Sequence, residues 1–327
     1  MIYFELAILR YEGDLMSENC CANESIEHGS SGELIAYLNY IKPYCFDDLL
    51  SFFASRILVG VEKVEDGAYL RTVLINRDGQ DFSGWIRVTN DEENSRIKLE
   101  MSESLCDVAS VVVGRVSRQF DVACDPVAVV QGIATLDDLV PGAVVCGTRL
   151  PGCFEPFETA CRAVLGQQVT VSVANKLAAR IVEAYGTPIK TDIEGLAYAF
   201  PKPEQILKLD PIEDAFGQLG VIKTRSRTIY SIASLLESGG LDFSAQANVE
   251  EQFDNLLAIK GIGPWSANYI AMRCLSYSDA FLESDSGIKH ALPEYEPKQR
   301  LEFAQNWRPY RSYANICLWN SLAPKGE

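Results

Sequence analysis

Residues 248–275 read NVEEQFDNLLAIKGIGPWSANYIAMRCL, two amphipathic runs on either side of Lys260-Gly261-Ile262-Gly263. In the first run Val249, Phe253, Leu256 and Leu257 share a helical face, and in the second Ala267, Ile270, Ala271, Cys274 and Leu275 do. The spacing predicts two helices joined by a tight hairpin, a helix-hairpin-helix. The two glycines let the backbone turn sharply and come close to a ligand, and Pro264 suits the first turn of the second helix. The free amides of that turn then point outward and can seat a phosphate without any basic side chain. A plain αα-hairpin with a glycine turn fits the same spacing.

Trp265 and Tyr269 lie four apart on the second helix and off its apolar stripe, so they either line a pocket or pack against another helix. Beyond the hairpin comes Phe281-Leu282-Glu283-Ser284-Asp285-Ser286-Gly287-Ile288-Lys289-His290, in which Asp285 can cap a helix running through Ile288 and Leu292. A lone aspartate before a helix is ordinarily only its cap.

Working outward, the chain after Pro156 reads as helix throughout. Segments Phe157–Leu165, Val171–Tyr185, Pro203–Lys208, Ile212–Leu219 and Lys223–Leu236 carry helical periodicity, several ending at glycine. Upstream, Phe46, Leu49, Leu50 and Phe53 mark a helix. Strand-like runs follow at Ile57–Val64, Ala68–Ile75, Phe82–Val88 and Arg96–Met101, separated by Asp66-Gly67 and Arg77-Asp78-Gly79 turns. They predict a four-stranded antiparallel sheet, covered by a helix whose stripe is Leu105, Val108, Val112, Val116 and Phe120. The fold class is thus α+β: a flexible acidic extension over residues 1–37, an antiparallel-sheet α/β domain over 38–125, and an all-α region over 126–327.

The chain has 327 residues, 47% hydrophobic and 23% charged, as expected of a globular protein. No stretch reaches the roughly 18 uninterrupted apolar residues of a membrane span. The first residues, MIYFELAILRYEGDLM, carry Glu5, Arg10, Glu12 and Asp14 where a signal peptide needs an apolar run, so an intracellular location is expected, the cytoplasm or nucleoid in a bacterium. Ten cysteines without a CxxC fit a reduced compartment, and two histidines with no GxSxG leave serine hydrolysis and histidine-rich metal catalysis without their usual parts. Chemistry must rest on carboxylates, lysines or cysteines. The formal charge of −16 opposes binding to a polyanion, but residues 151–327 hold seventeen basic against twenty-one acidic side chains, which leaves room for a locally basic face.

Taken together, LLAIKGIGPWSANYIAMR followed by FLESDSGIKHAL resembles the helix-hairpin-helix, Gly/Pro loop and aspartate of the DNA base-excision glycosylases. Within that superfamily, FETACRAVLGQQVTVSVANKLAARIVEAYG, LGVIKTRSR, WRPYRSYANICLW, KPYCFDDLLSFFASRILVGVEKV and GAYLRTVLI resemble segments of the bacterial inducible 3-methyladenine DNA glycosylase II family, over residues 38–322. The resemblance implies Asp285 as the catalytic aspartate, with Trp265, Tyr269, Trp319 and Phe52 as aromatics of the base pocket. It implies DNA contacts from Gly261, Ile262, Gly263, Pro264 and Lys260, and a wedge at Gln168, polar here where an apolar residue is expected. A monovalent cation, Na+ or K+, held on the carbonyls of Leu257, Ile259 and Ile262 is also implied. Lys223, Arg225 and Arg273 fit either phosphate contacts or solvated charges.

The expected partner is double-stranded DNA bearing alkylated bases, acted on by a monomer with no membrane association. Purines alkylated at N3 or N7 carry positive charge, which electron-rich rings attract and which makes the base a good leaving group once it is flipped from the helix. Trp265 stands where strand-cleaving relatives have a Schiff-base lysine, so a monofunctional hydrolase is expected. Only Cys317 follows Cys274, too few thiols for the iron–sulfur cluster of other relatives. Ser284, Ser286 and Gly287 depart from the bulkier or acidic neighbours expected around the aspartate. Two other readings stay open: a non-catalytic DNA-binding module in which Asp285 is only a cap, and a glycosylase for an oxidised or deaminated base.

Overall fold

The computed structural model of the chain describes residues 26–29 and 32–323. Most of the extension expected at the N-terminus lies outside them, but its end does not behave as an extension. Strand β1 (Glu27–His28) pairs with β2 (Leu34–Asn39), and β2 pairs with β6 (Arg96–Met101) in the register Leu34↔Met101 to Asn39↔Arg96. The sheet therefore has six strands where four were expected, in the order β1-β2-β6-β5-β4-β3, all antiparallel. Leu34, Ala36 and Leu38 are its buried face, a period-2 pattern too short to stand out beside the Ser/Gly run before it.

Strands β4 (Ala68–Arg77) and β5 (Gln80–Asp91) form the long central hairpin. Asp66-Gly67 and Asp78-Gly79 both have φ between 49° and 81°, the paired left-handed conformation that suits two-residue turns between twisted strands. Of the strand expected over Ile57–Val64, only β3 (Glu62–Glu65) is in the sheet. Leu58 and Val61 turn away from it, fully buried in the helical core. Helix α1 (Phe46–Ala54) packs on the sheet, as does α2 (Ala109–Gln119) through Val112, Val113 and Val116.

The chain then enters α3 (Pro126–Ile133), capped by Asp125, whose Oδ1 accepts from Val127 N at 2.9 Å and Ala128 N at 3.2 Å. Val129, Ile133, Leu136 and Leu150 are buried with residues from the far end of the chain, so the sequence before Pro156 supplies part of the last helical layer. Helices α4 (Pro156–Leu165), α5 (Val171–Tyr185), α6 (Pro203–Leu207), α7 (Ile212–Gly217), α8 (Lys223–Ser238), α9 (Val249–Ala258) and α10 (Pro264–Cys274) enclose a second core. α11 (Ser286–Ala291), α12 (Pro297–Ala304) and α13 (Arg311–Asn320) complete the third. The region is not purely helical: β7 (Thr187–Pro188) and β8 (Tyr198–Ala199) form a small antiparallel pair. No helix among the described residues is long and apolar enough to cross a membrane.

The sheet domain and α4 are joined by buried charges. Arg71 Nη2 lies 2.9 Å from Glu158 Oε2, and Arg162 Nη1 lies 3.0 Å from both Glu62 Oε2 and Glu158 Oε1. Tyr69 donates to Glu62 Oε1 at 2.6 Å. Burial alone would raise the Glu62 carboxyl, but Arg162 and Arg71 outweigh it and hold the group below its ordinary range. Attraction of this kind offsets the desolvation of four ions only while every partner is in place.

Candidate active site

A cleft of about 1430 Å³ opens where α1, the hairpin and α11 meet. Its rim is built largely from the first turns of helices. Thr170 caps α5, α8 begins after Ile222, α10 begins after Gly263, and Asp285 caps α11, and all four positions line the cleft. Helix starts present free amides and positive dipole ends, so this face attracts anions in spite of the net charge of the chain.

The hairpin follows its sequence closely. Gly261 takes φ +98°, and a Cβ there would lie 2.2 Å from Thr228 Oγ1, so glycine is required on both counts. Thr228 Oγ1 donates to Lys260 O at 2.9 Å, and Gln167 Nε2 donates to Gly261 O at 2.8 Å and Ser266 Oγ at 2.9 Å. These bonds fix the loop to α8 and to the turn after α4. Ile262 is buried and its amide is taken by Ile259 O at 3.0 Å. Gly263 has open space in front of it, and among the described residues the amides of Gly263, Trp265 and Ser266 have no partner within the protein. The carbonyls of Leu257 and Ile262 likewise accept no hydrogen bond among the described residues, whereas Ile259 O does. Lys260 is exposed, and Leu257, expected on the apolar face of α9, is 38% exposed because Gln252 and Leu256 fill the inner face instead.

Asp285 stands at the other wall. Its Oδ1 accepts from Gly287 N at 2.8 Å, Ile288 N at 3.2 Å and Trp319 Nε1 at 2.9 Å, and its Oδ2 accepts from Trp265 Nε1 at 3.1 Å. Two tryptophans 54 positions apart in the chain thus converge on one carboxylate. Trp265 stacks on Tyr269, and Trp319 stacks on Phe52 with centroids 6.2 Å apart. Trp265, Tyr269 and Trp319 line the cleft; Phe52 does not line it itself but lies behind the lining residues Trp319, Arg56 and Arg273.

Sequence reasoning missed the cations of this wall. Arg56 lies 3.7 Å over the Phe52 ring and donates to Phe52 O at 3.2 Å and Ser55 Oγ at 2.8 Å. Arg273, which fitted a phosphate contact in the sequence, is buried: it donates to Gly152 O at 2.9 Å and to Tyr269 Oη at 2.7 Å. Burial pushes the Tyr269 phenol up, but Arg273, Arg56 and Arg162 outweigh it and bring the phenol below its ordinary value. Arg225 donates to Gln167 O and lines the rim, while Lys223 is exposed at the start of α8. Gln168 is exposed at the rim with φ 54°, the left-handed conformation that few residues with a side chain adopt. It stands beside Gln167, whose side chain holds the hairpin, so the wedge expected here and the hairpin are one connected surface.

Residues 36–155 match the AlkA N-terminal domain and residues 161–301 match the HhH-GPD superfamily base excision DNA repair protein. The DNA-3-methyladenine glycosylase 2 of Escherichia coli is 33% identical over 282 residues, 86% of this chain and 95% of that protein. A probable bifunctional transcriptional activator/DNA repair enzyme AlkA of Mycobacterium tuberculosis is 34% identical over 90% of this chain, which spans 58% of that longer protein. The structure of a 3-methyladenine DNA-glycosylase from Archaeoglobus fulgidus has the same fold, with a TM-score of 0.69 at 20% identity over 87% of this chain and 97% of that one. The chain belongs to the HhH-GPD superfamily of base excision DNA repair proteins, and within it to the family of DNA-3-methyladenine glycosylase 2.

Proposed function

We propose that this protein binds double-stranded DNA, everts an alkylated purine of the 3-methyladenine or 7-methylguanine type into the cleft, and hydrolyses its N-glycosidic bond without cutting the strand. The observation that carries the reading is Asp285, a carboxylate held by two backbone amides and two indoles at the wall of an aromatic cleft. The bond from C1′ to the base nitrogen breaks with its electron pair leaving on the base, which neutralises the positive charge of the alkylated ring. The sugar becomes oxocarbenium-like, and a fixed carboxylate beside it stabilises that charge. Water adds to C1′, and its proton passes to Asp285 or to solvent, leaving a free base and an abasic site. Flipping costs a few kcal/mol, least for a damaged base, and stacking on Trp265, Tyr269 and Trp319 repays it.

The free amides of Gly263, Trp265 and Ser266 suit a DNA phosphate, with Gly261, Ile262 and Pro264 shaping the turn and Lys260 adding charge at its tip. Gln168 would fill the gap left by the flipped base. The unpaired carbonyls of Leu257 and Ile262, with Ile259 O between them, fit a monovalent cation that would draw the hairpin toward the phosphate; no chemical step runs through it. The enzyme acts as a monomer within the cell.

A second reading, release of an oxidised or deaminated base, is favoured by Arg56 and Arg273, whose guanidiniums flank Tyr269 and suit a neutral base bearing carbonyl oxygens. One experiment addresses both: chromatography of bases released from methylated DNA and from duplexes carrying single oxidised or deaminated bases, by the protein and its Asp285→Asn variant. Release of 3-methyladenine that Asp285→Asn abolishes, with DNA binding retained, supports the first reading. Unchanged release by Asp285→Asn would leave Asp285 as a helix cap and nothing more.

A further inference from the structure

We infer that Gly287 is a positioning residue: by lacking a side chain it lets the Trp319 indole donate to Asp285 Oδ1, and so leaves Oδ2 as the one oxygen presented to the reacting sugar. The inference deepens the reading of Asp285 as the catalytic carboxylate and rests on it.

The two carboxylate oxygens are unequally loaded. Oδ1 accepts three donors, Gly287 N, Ile288 N and Trp319 Nε1, between 2.8 and 3.2 Å. A carboxylate oxygen offers about two lone-pair directions, so Oδ1 has no capacity left for water or for a developing charge. Oδ2 accepts only the Trp265 indole at 3.1 Å and keeps an acceptor site free. The backbone amides fix where the carboxylate sits, and the two indoles fix the rotation of its plane.

Gly287 makes the third bond to Oδ1 possible. A Cβ at this position would lie 2.6 Å from Trp319 Cδ1, 2.9 Å from Trp319 Nε1 and 3.1 Å from Asp285 Oδ1, well inside van der Waals contact. The indole is also stacked on Phe52 at 24°, and the Arg56 guanidinium covers Phe52, so displacing the ring disturbs that stack as well. Any side chain at 287 must therefore swing the indole and pull its N–H off the carboxylate. Oδ1 regains a free site, the carboxylate plane turns, and Oδ2 is no longer held toward the sugar.

The test uses the four tryptophans of the chain, Trp85, Trp265, Trp307 and Trp319, which give four indole N–H signals in a 15N–1H spectrum. Gly287→Ala is expected to move the Trp319 signal most, that of Trp265 less as the carboxylate plane turns, and to leave those of Trp85 and Trp307 in place. Single-turnover release of 3-methyladenine should fall about tenfold, the loss expected for one charge-assisted hydrogen bond, while affinity for DNA holding an abasic-site analogue stays within about twofold. Trp319→Phe removes the N–H together with the pyrrole half of the indole; it should fall at least by the same factor, and Gly287→Ala on top of it should cost nothing more. An unmoved Trp319 signal in Gly287→Ala would overturn the inference, as would a Trp319→Phe variant that keeps the full single-turnover rate while Asp285→Asn is inactive. Full activity in Asp285→Asn itself would instead remove the catalytic reading beneath it. Thermal melts of each variant separate these outcomes from loss of fold.

Discussion

The Trp265 indole and the Tyr269 ring lie nearly parallel, 9° apart in plane with centroids 5.3 Å apart, one turn apart on α10. Each ring has one face against the other, so a guest base stacks on an outer face and not between them. Trp265→Ala is expected to remove both this platform and, among the described residues, the one donor on Asp285 Oδ2. With stacking worth about 1–3 kcal/mol per base, kcat/KM for 3-methyladenine release should fall by about one to two orders of magnitude, measured at limiting substrate.

Tyr269 should ionise before Tyr44, Tyr69 and Tyr313. Burial opposes its charge, but Arg273, Arg56 and Arg162 win, whereas burial pushes Tyr44, Tyr69 and Tyr313 well above their ordinary value. An ultraviolet titration of phenolate absorbance should, in Tyr269→Phe, lose a step that precedes those of these three buried tyrosines and keep the latest ones.

The two hairpin glycines should differ in kind. Gly261→Ala places an L-residue at φ +98° and a methyl against Thr228, so it should lower both thermal stability and DNA affinity, the backbone strain alone being about 1–2 kcal/mol. Gly263→Ala meets open space at φ −102° and should melt like the parent while binding a duplex more weakly, as read by fluorescence anisotropy.

Asp121 gives the protein a pH dependence remote from the cleft. Burial raises its carboxyl from 3.8 to about 6, partly opposed by bonds from Leu150 N at 2.9 Å and Tyr313 Oη at 2.9 Å. Because the folded value lies above the unfolded one, this stabilisation is complete below the unfolded value and is lost as pH rises through about 6. Unfolding free energy should therefore decline by roughly 1.4 kcal/mol for each unit of the shift between those limits, and urea melts of Asp121→Asn should lack the decline.

Much of this architecture is written locally in the chain. Gly261 and Pro264 announce the hairpin because a left-handed residue and a helix first turn each demand a particular side chain, and Asp66-Gly67 and Asp78-Gly79 announce the sheet in the same way. Asp285 before its helix and the one-turn spacing of Trp265 and Tyr269 were legible because one short segment and one helical turn carry them, while their place in a base pocket came only from the family resemblance. Relationships across long separations were not: Trp319 reaches Asp285 from 34 positions away, and Arg273 finds Gly152 O across 121, so its burial could not be read from its own helix. The strand at Leu34–Asn39 was lost because six alternating residues become a strand only when Arg96–Met101 pairs with them. Leu58 and Val61 looked like sheet because apolar residues do not declare which core will take them.

Glu158→Gln should leave buried Arg71 and half-buried Arg162 each short of one charge partner. The expected loss is about 3–5 kcal/mol of folding free energy, measured by denaturant melts at neutral pH, with base release by the surviving folded fraction little changed.

The ions of Glu62, Arg71, Glu158 and Arg162 straddle the seam between the sheet domain and α4, and both α1 and α4 border the cavity. Were the two halves to gape like a clamshell, the Arg71–Glu158 and Glu62–Arg162 pairs across the seam would both have to break. The jaws are in effect riveted along one edge, and a change in the width of the mouth has to be made at the expense of those rivets.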